Sequence, residues 1–154
     1  MTICKGDYVT KEDVYDWFIK MSHKYAVANI CYDPANAYRL NQDLAAYGGP
    51  EWTIPVRQGA LTLSPALKDL KELLLDGKVV HNENRLLRWY INNVKLVIAD
   101  RNGNWLPSKQ GKYRKIDGFA ALLTAHTETM KLMTKPQENV GNVTFVSAKD
   151  LRGR

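Results

Sequence analysis

Little in this chain of 154 residues could cross-link it, anchor it or bind a soft metal. It has two cysteines, Cys4 and Cys31, without metal-finger spacing, so a disulfide-stapled scaffold is excluded. Cys31 falls in an apolar strand pattern where a small hydrophobe is wanted, and both thiols are expected to be reduced and structural. Histidines number three, and His81, in a polar His-Asn-Glu-Asn turn, has no second histidine at ligand spacing; a hydrogen-bonding role in its loop is expected. No apolar run approaches the roughly 20 residues that span a bilayer, and the segment Met1-Thr2-Ile3-Cys4-Lys5-Gly6-Asp7 lacks a signal-peptide core. A soluble, unexported protein is expected. The phosphate-cradling pattern Gly-x-x-x-x-Gly-Lys-Ser/Thr is absent, as are internal repeats, low-complexity tracts and interdomain linkers.

What is present is one domain's worth of core, with 45% apolar residues, and a surplus of base over acid, 22 against 16, for a net charge of +6. Such a charge permits nucleic-acid binding without requiring it. Thr10-Lys11-Glu12-Asp13 has the form of a capping box, and Val14, Trp17, Phe18, Met21 and Tyr25 follow at helical spacing, which predicts a helix over about 10–25. Residues 27–32 read as a buried strand running through Asp33-Pro34 directly into a helix faced by Ala37, Leu40, Leu44 and Tyr47 and stopped at Gly48-Gly49-Pro50.

Residues 52–58 form a second strand, pushed toward an edge or bulge by Pro55. Ser64-Pro65 opens a helix carrying Leu67, Leu70, Leu73 and Leu74, closed by Gly77. A helix over 84–92 and a strand over 94–99 follow, then Asn102-Gly103, the strongest hairpin signal in the chain. The last long helix starts at Asp117-Gly118 with Phe119, Leu122, Leu123, His126, Met130 and Met133 on or near one face, where His126 reads as a satisfied core histidine. Beyond Pro136 the pattern weakens: residues 1–134 read as the domain and 135–154 as a polar tail with one β-prone patch, Val143-Thr144-Phe145-Val146.

Two acids stand out. Asp33 ends a buried strand and Asp117 begins an apolar helix, so folding could unite carboxylates that the sequence keeps apart, an arrangement suited to hard divalent cations acting on phosphate. Each has a plain structural reading beside it: a helix N-cap before proline for Asp33, and an acid favoured by the helix dipole for Asp117. Lys109, Lys112, Arg114 and Lys115 precede Asp117 with Tyr113 among them, as a phosphate-attracting loop or a solvated one. Asp100 reads first as turn chemistry and second as a spare ligand. Gln58 and Asn93 could cap strand ends, support the site or touch DNA. The tryptophans at 17, 52, 89 and 105 are core or base-stacking side chains, the core being favoured.

The segments Ile30-Cys31-Tyr32-Asp33-Pro34-Ala35-Asn36-Ala37, Val56-Arg57-Gln58-Gly59 with Leu63-Ser64-Pro65-Ala66, His81-Asn82-Glu83-Asn84 with Trp89 and Asn93, Asp100-Arg101-Asn102-Gly103-Asn104 with Pro107-Ser108-Lys109, and Lys115-Ile116-Asp117-Gly118 resemble, in order and spacing, the nuclease domain of the tailed-bacteriophage terminase large subunit. The resemblance runs from about residue 5 to residue 130. It implies an α/β fold, an RNase H-like mixed sheet flanked by helices and incomplete at the N-terminus. It also implies a two-metal endonuclease, using Mg²⁺ or Mn²⁺, that cuts concatemeric double-stranded DNA during packaging in the bacterial host cytoplasm. Small terminase subunit and portal protein are the implied partners. Of the family's three acidic ligands, those matched here are Asp33 and Asp117; the first acid would lie on an upstream strand, which implies the C-terminal part of a larger protein. The strand edge so left open predicts a homodimer, or residues 1–9 folded back on it. The alternatives are an inactive remnant or DNA- and portal-docking module of the same family, and another RNase H-like enzyme such as a junction resolvase.

Overall fold

The computed structural model describes residues 4, 6–35 and 37–134. The first helix, α1 (Lys11–Lys24), starts at the expected capping box: Thr10 Oγ1 accepts the Asp13 amide at 3.0 Å, and the Asp13 carboxylate accepts the Thr10 amide at 2.9 Å. These bonds hold the Asp13 carboxyl below the usual carboxylate range. The inward side chains of α1, Tyr15, Phe18 and Ile19, pack with Val27 and Leu40 around Ile30, Leu44 and Trp52.

Strand β1 (Ile30–Tyr32) pairs in parallel with β2 (Thr53–Pro55), Ile30 opposite Thr53 and Tyr32 opposite Pro55, and α2 (Tyr38–Gly48) makes the crossover between them. Both strands are shorter than their apolar patterns. The Val27 carbonyl is taken by Trp52 Nε1 at 3.1 Å and the Glu51 carbonyl by Asn29 Nδ2 at 3.0 Å, so side-chain bonds replace the ladder at that end. Trp52 itself lies in a 3-10 turn over Pro50–Trp52, and Pro55 has no amide to continue β2. A Cβ at Gly48 would lie 2.2 Å from the Trp52 ring, so the absence of a side chain there admits the indole to the core.

The next helix, α3 (Ala60–Leu75), begins five residues before the expected start, with Gly59 rather than Ser64 at its N-cap and Pro65 inside its first turns. Ser64 does not cap it. Its side chain is buried, 1% exposed, and its Oγ accepts the Trp105 amide at 3.0 Å. Helix α4 (Arg85–Asn92) is capped by Asn84, whose side chain accepts the Leu87 amide at 3.0 Å. Strands β3 (Val94–Ile98) and β4 (Trp105–Lys109) form the expected hairpin, antiparallel with Val94 opposite Lys109, and Gly103 supplies the left-handed φ of +70° at the turn. The final helix, α5 (Asp117–Thr134), packs on α3, α4 and β1.

The protein is thus α/β, with helices on small sheets. Among the described residues the strands form two separate pairs, one parallel and one antiparallel, rather than the expected single mixed sheet. The larger core lies between them: Val56, Leu63, Ala66, Leu67 and Leu70 against Phe119 and Leu123. Ile30 and Cys31 point to different cores, as strand alternation requires. Both cysteines are free. No described helix is long and apolar enough to cross a membrane. The expected polar tail over 135–154, with its β-prone patch, lies outside the described residues.

Replacing Ser64 with alanine removes the acceptor of a buried amide, so Ser64→Ala should cost about 1–3 kcal/mol in urea unfolding, the usual penalty for an unsatisfied buried donor. A change within about 0.5 kcal/mol, the ordinary scatter of surface substitutions, would show that the Trp105 amide finds water instead.

Candidate metal and nucleic-acid site

Asp33 is the residue that follows β1, and its side chain is exposed. Its Oδ1 accepts the Ala35 amide at 3.0 Å, an Asx-type turn that redirects the chain at the carboxyl end of the strand. It is not the cap of the next helix. Helix α2 starts at Tyr38 with Ala37 at its N-cap and no side-chain cap bond, because the Asx turn consumes the residues that an Asp-Pro helix start would have used.

Asp117 is the first residue of α5 and is exposed as well. Helix α5 packs on β1, and one side-chain contact relates it to the end of the parallel pair. Gln58, just beyond β2, reaches Thr124 with Nε2 to Oγ1 at 3.4 Å. Burial pushes the Cys31 thiol up, Glu128 adds to the rise and Lys131 opposes it. Through the Gln58 contact, Thr124 lies by the carboxyl ends of the parallel pair, the end from which Asp33 follows, and Asp117 stands seven residues before it on α5, about 10 Å at 1.5 Å per residue.

The segment leading into Asp117 is tied down from one residue. Asn93, 2% exposed, accepts the Gln110 amide on its own carbonyl at 2.9 Å and donates from Nδ2 to the Lys115 carbonyl at 2.8 Å. Arg114 Nη1 approaches Asn93 Oδ1 at 3.5 Å, and Gln110 Nε2 donates to the Val94 carbonyl at 3.1 Å. The loop is held at both ends while the side chains of Lys109, Lys112, Arg114 and Lys115 stay exposed. Four cationic side chains therefore hang from a pinned backbone just ahead of Asp117. Asn93 had several possible roles in the sequence; here it is the clamp of the basic loop.

The remaining polar residues have local partners. Asp100 Oδ1 accepts the amides of Asn102 and Asn104 at 2.9 and 3.1 Å, and Oδ2 accepts Asn104 Nδ2 at 2.7 Å, which is turn chemistry. The Asn104 side chain, then the Asn104 amide, holds the Asp100 carboxyl below the usual carboxylate range. His126 is buried with Nε2 2.6 Å from Asp69 Oδ2, the satisfied core histidine expected. His81 differs from expectation: its carbonyl accepts the Asn84 amide at 3.0 Å, while its buried Nδ1 has no partner among the described residues. Trp52 is core, and Trp105 packs on the larger core under Lys68 and Lys71, whose Nζ atoms lie 5.5 and 5.3 Å from its ring centroid. Trp17 and Trp89 remain about 40% exposed. Among the described residues no three His, Cys, Asp or Glu side chains gather to hold a metal ion.

The family model for the terminase large subunit, endonuclease domain, matches residues 3–132. The crystal structure of the HK97 bacteriophage large terminase is similar in fold, with a TM-score of 0.68 and 22% sequence identity, over 78% of this chain and 25% of that one. The chain therefore spans about a quarter of the length of that terminase. No curated protein matches it.

The lowered pKa of Asp100 has a definite consequence for stability. Its folded value lies below its unfolded one, so its contribution to the hairpin is present above the unfolded value and is lost as pH falls through the folded one. In an acid titration followed by NMR, the Asn104 amide should shift below the ordinary carboxylate range, and Asp100→Asn should remove that transition. An Asn104 transition at an ordinary aspartate pH would contradict the bonding described.

Proposed function

Because this chain belongs to the family of terminase large subunit endonuclease domains, we propose that it is an RNase H-like, metal-dependent DNA endonuclease module in which Asp33 and Asp117 hold Mg²⁺ or Mn²⁺. The observation that supports this most is the Gln58–Thr124 contact, which brings the first half of α5 to the carboxyl ends of β1 and β2, the end from which Asp33 follows, with Asp117 seven residues earlier on that helix. Exposed carboxylates suit hard cations, and Mg²⁺ is commonly bound by one or two carboxylates with water and substrate phosphate completing its shell. When bound, such cations polarise the scissile phosphate and raise the acidity of water. The protein's own part is to orient the two carboxylates and to draw the DNA backbone in. Lys109, Lys112, Arg114 and Lys115 neutralise phosphates without reading sequence, and the Asn93 clamp keeps their loop beside Asp117.

The substrate on this reading is concatemeric double-stranded phage DNA, cut during packaging with the small terminase subunit and portal protein in the host cytoplasm. A second copy, paired along the edge of β1 that has no neighbour among the described residues, is the self-association that fits. A second reading, binding to DNA or portal without cutting, is favoured by one observation: the described residues contain no cluster of three metal-ligating side chains.

Supercoiled-plasmid nicking separates the two. Each carboxylate missing from a two-metal site removes a ligand and a charge that offsets repulsion between the cations, so the chain alone should nick weakly, better in Mn²⁺ than in Mg²⁺, or not at all. Asp33→Asn or Asp117→Asn should abolish what activity there is with an unchanged melting curve, and a longer chain bringing a third acid should raise cleavage by orders of magnitude. Nicking that survives both asparagine substitutions would sink the assignment. Robust cutting by this chain in Mg²⁺ would instead require a third ligand within it, with Asp100 the first to test.

The basic loop has its own measurement. Alanine at any one of Lys109, Lys112, Arg114 or Lys115 should reduce the slope of log affinity against log salt by about 1 if that side chain contacts phosphate. Unchanged slopes for all four would remove the loop from the DNA path.

A further inference from the structure

We propose that the carboxyl end of α4, through Asn93 and Tyr90, is the positioning element for the Asp117 carboxylate; this rests on the reading of Asp117 as a metal ligand. Two independent contacts converge on the start of α5. Asn93 Nδ2 donates to the carbonyl of Lys115, two residues before Asp117, from a side chain that is 2% exposed. On the other side, Gly118 leaves room for the Tyr90 ring: a Cβ there would lie 2.4 Å from Tyr90 Cδ2. Asn93 and Tyr90 are three residues apart, one helical turn, and the Asn93 amide bonds back to the Tyr90 carbonyl at 3.1 Å, so both pins belong to one rigid end. Asp117 thus lies between two pinned neighbours.

The chemistry at position 93 needs an amide. The nitrogen must donate to a carbonyl while the oxygen receives the Arg114 guanidinium, which an aspartate of equal size cannot do, because it presents a second acceptor to the Lys115 carbonyl. The same residue's backbone carbonyl accepts the Gln110 amide, so loss of the side-chain bond releases the loop at one end and leaves it tethered at the other. The expected result is a reoriented Asp117 on a folded domain.

The test compares wild type, Asn93→Asp, Gly118→Ala and Asp117→Asn by calorimetric Mn²⁺ titration, with amide exchange at residues 115–119 measured in metal-free protein. Wild type should bind Mn²⁺. Asn93→Asp should weaken binding about 10–100-fold, as loss of a ligand-orienting partner does, and speed exchange at 115–119 while the global melt stays cooperative. Gly118→Ala, which drives the Tyr90 ring aside, should weaken Mn²⁺ likewise and be restored by adding Tyr90→Ala; it carries the test alone should Asn93→Asp not fold. Faster exchange with unchanged Mn²⁺ affinity in both variants would overturn the inference and leave the metal reading standing. Wild type that binds no Mn²⁺ more tightly than Asp117→Asn would overturn the metal reading and this inference with it.

Discussion

Burial of Phe119 and Leu123 against Leu63, Leu67 and Leu70 is the interaction on which the remaining structure depends. Each such side chain, taken fully from water, contributes about 1.5–3 kcal/mol. Helix α5 is the element that touches α3, α4 and β1 together, so this apolar seam holds the parallel pair and the hairpin in one body. It also determines where the amino-terminus of α5 emerges, and with it Asp117. A helix that buried a different face would carry the acid elsewhere, whatever the local chemistry of the Asp-Gly start.

Apolar burial chooses the face, and directional bonds choose the register. Three buried polar groups do this work. Ser64 takes the Trp105 amide and sets the hairpin on α3; the His126 ring meets Asp69 and sets α5 along α3; Asn93 meets the Lys115 carbonyl and sets the start of α5. Each would be costly to bury alone, and each is satisfied only in this arrangement. The cationic side chains of the basic loop, by contrast, stay in water. Their backbone is constrained and, apart from Arg114, which reaches Asn93 Oδ1, their tips are exposed, which suits contact with a phosphate backbone better than a loop that must be ordered on binding.

The helices were largely legible because their signals are local. The Thr10 capping box, the Asn84 cap and the period of α5 lie within a few residues of the structure they specify. Strand lengths were not, because Trp52 and Asn29 take the carbonyls of Val27 and Glu51 from a distance. Ser64-Pro65 misled for a related reason: the dipeptide is a good helix start, but the serine hydroxyl is needed by Trp105, forty-one residues away. Asp33-Pro34 looked like a helix start too, and an Asx turn to Ala35 displaces it.

What the sequence by itself determined is the class of protein and the chemical character of its groups: helix starts written in short-range caps, a hairpin in Asp-Arg-Asn-Gly-Asn, carboxylates at element ends and cations before Asp117. Those depend on residues within a turn or two of one another. Tertiary structure alone decided that the first half of α5 meets the carboxyl ends of β1 and β2, that the four described strands form two pairs, and that Asn93 rather than a nearer residue holds the loop before Asp117. These are matters of which distant surfaces exclude water together, and a periodic pattern says that a face is apolar without saying against what it will be buried.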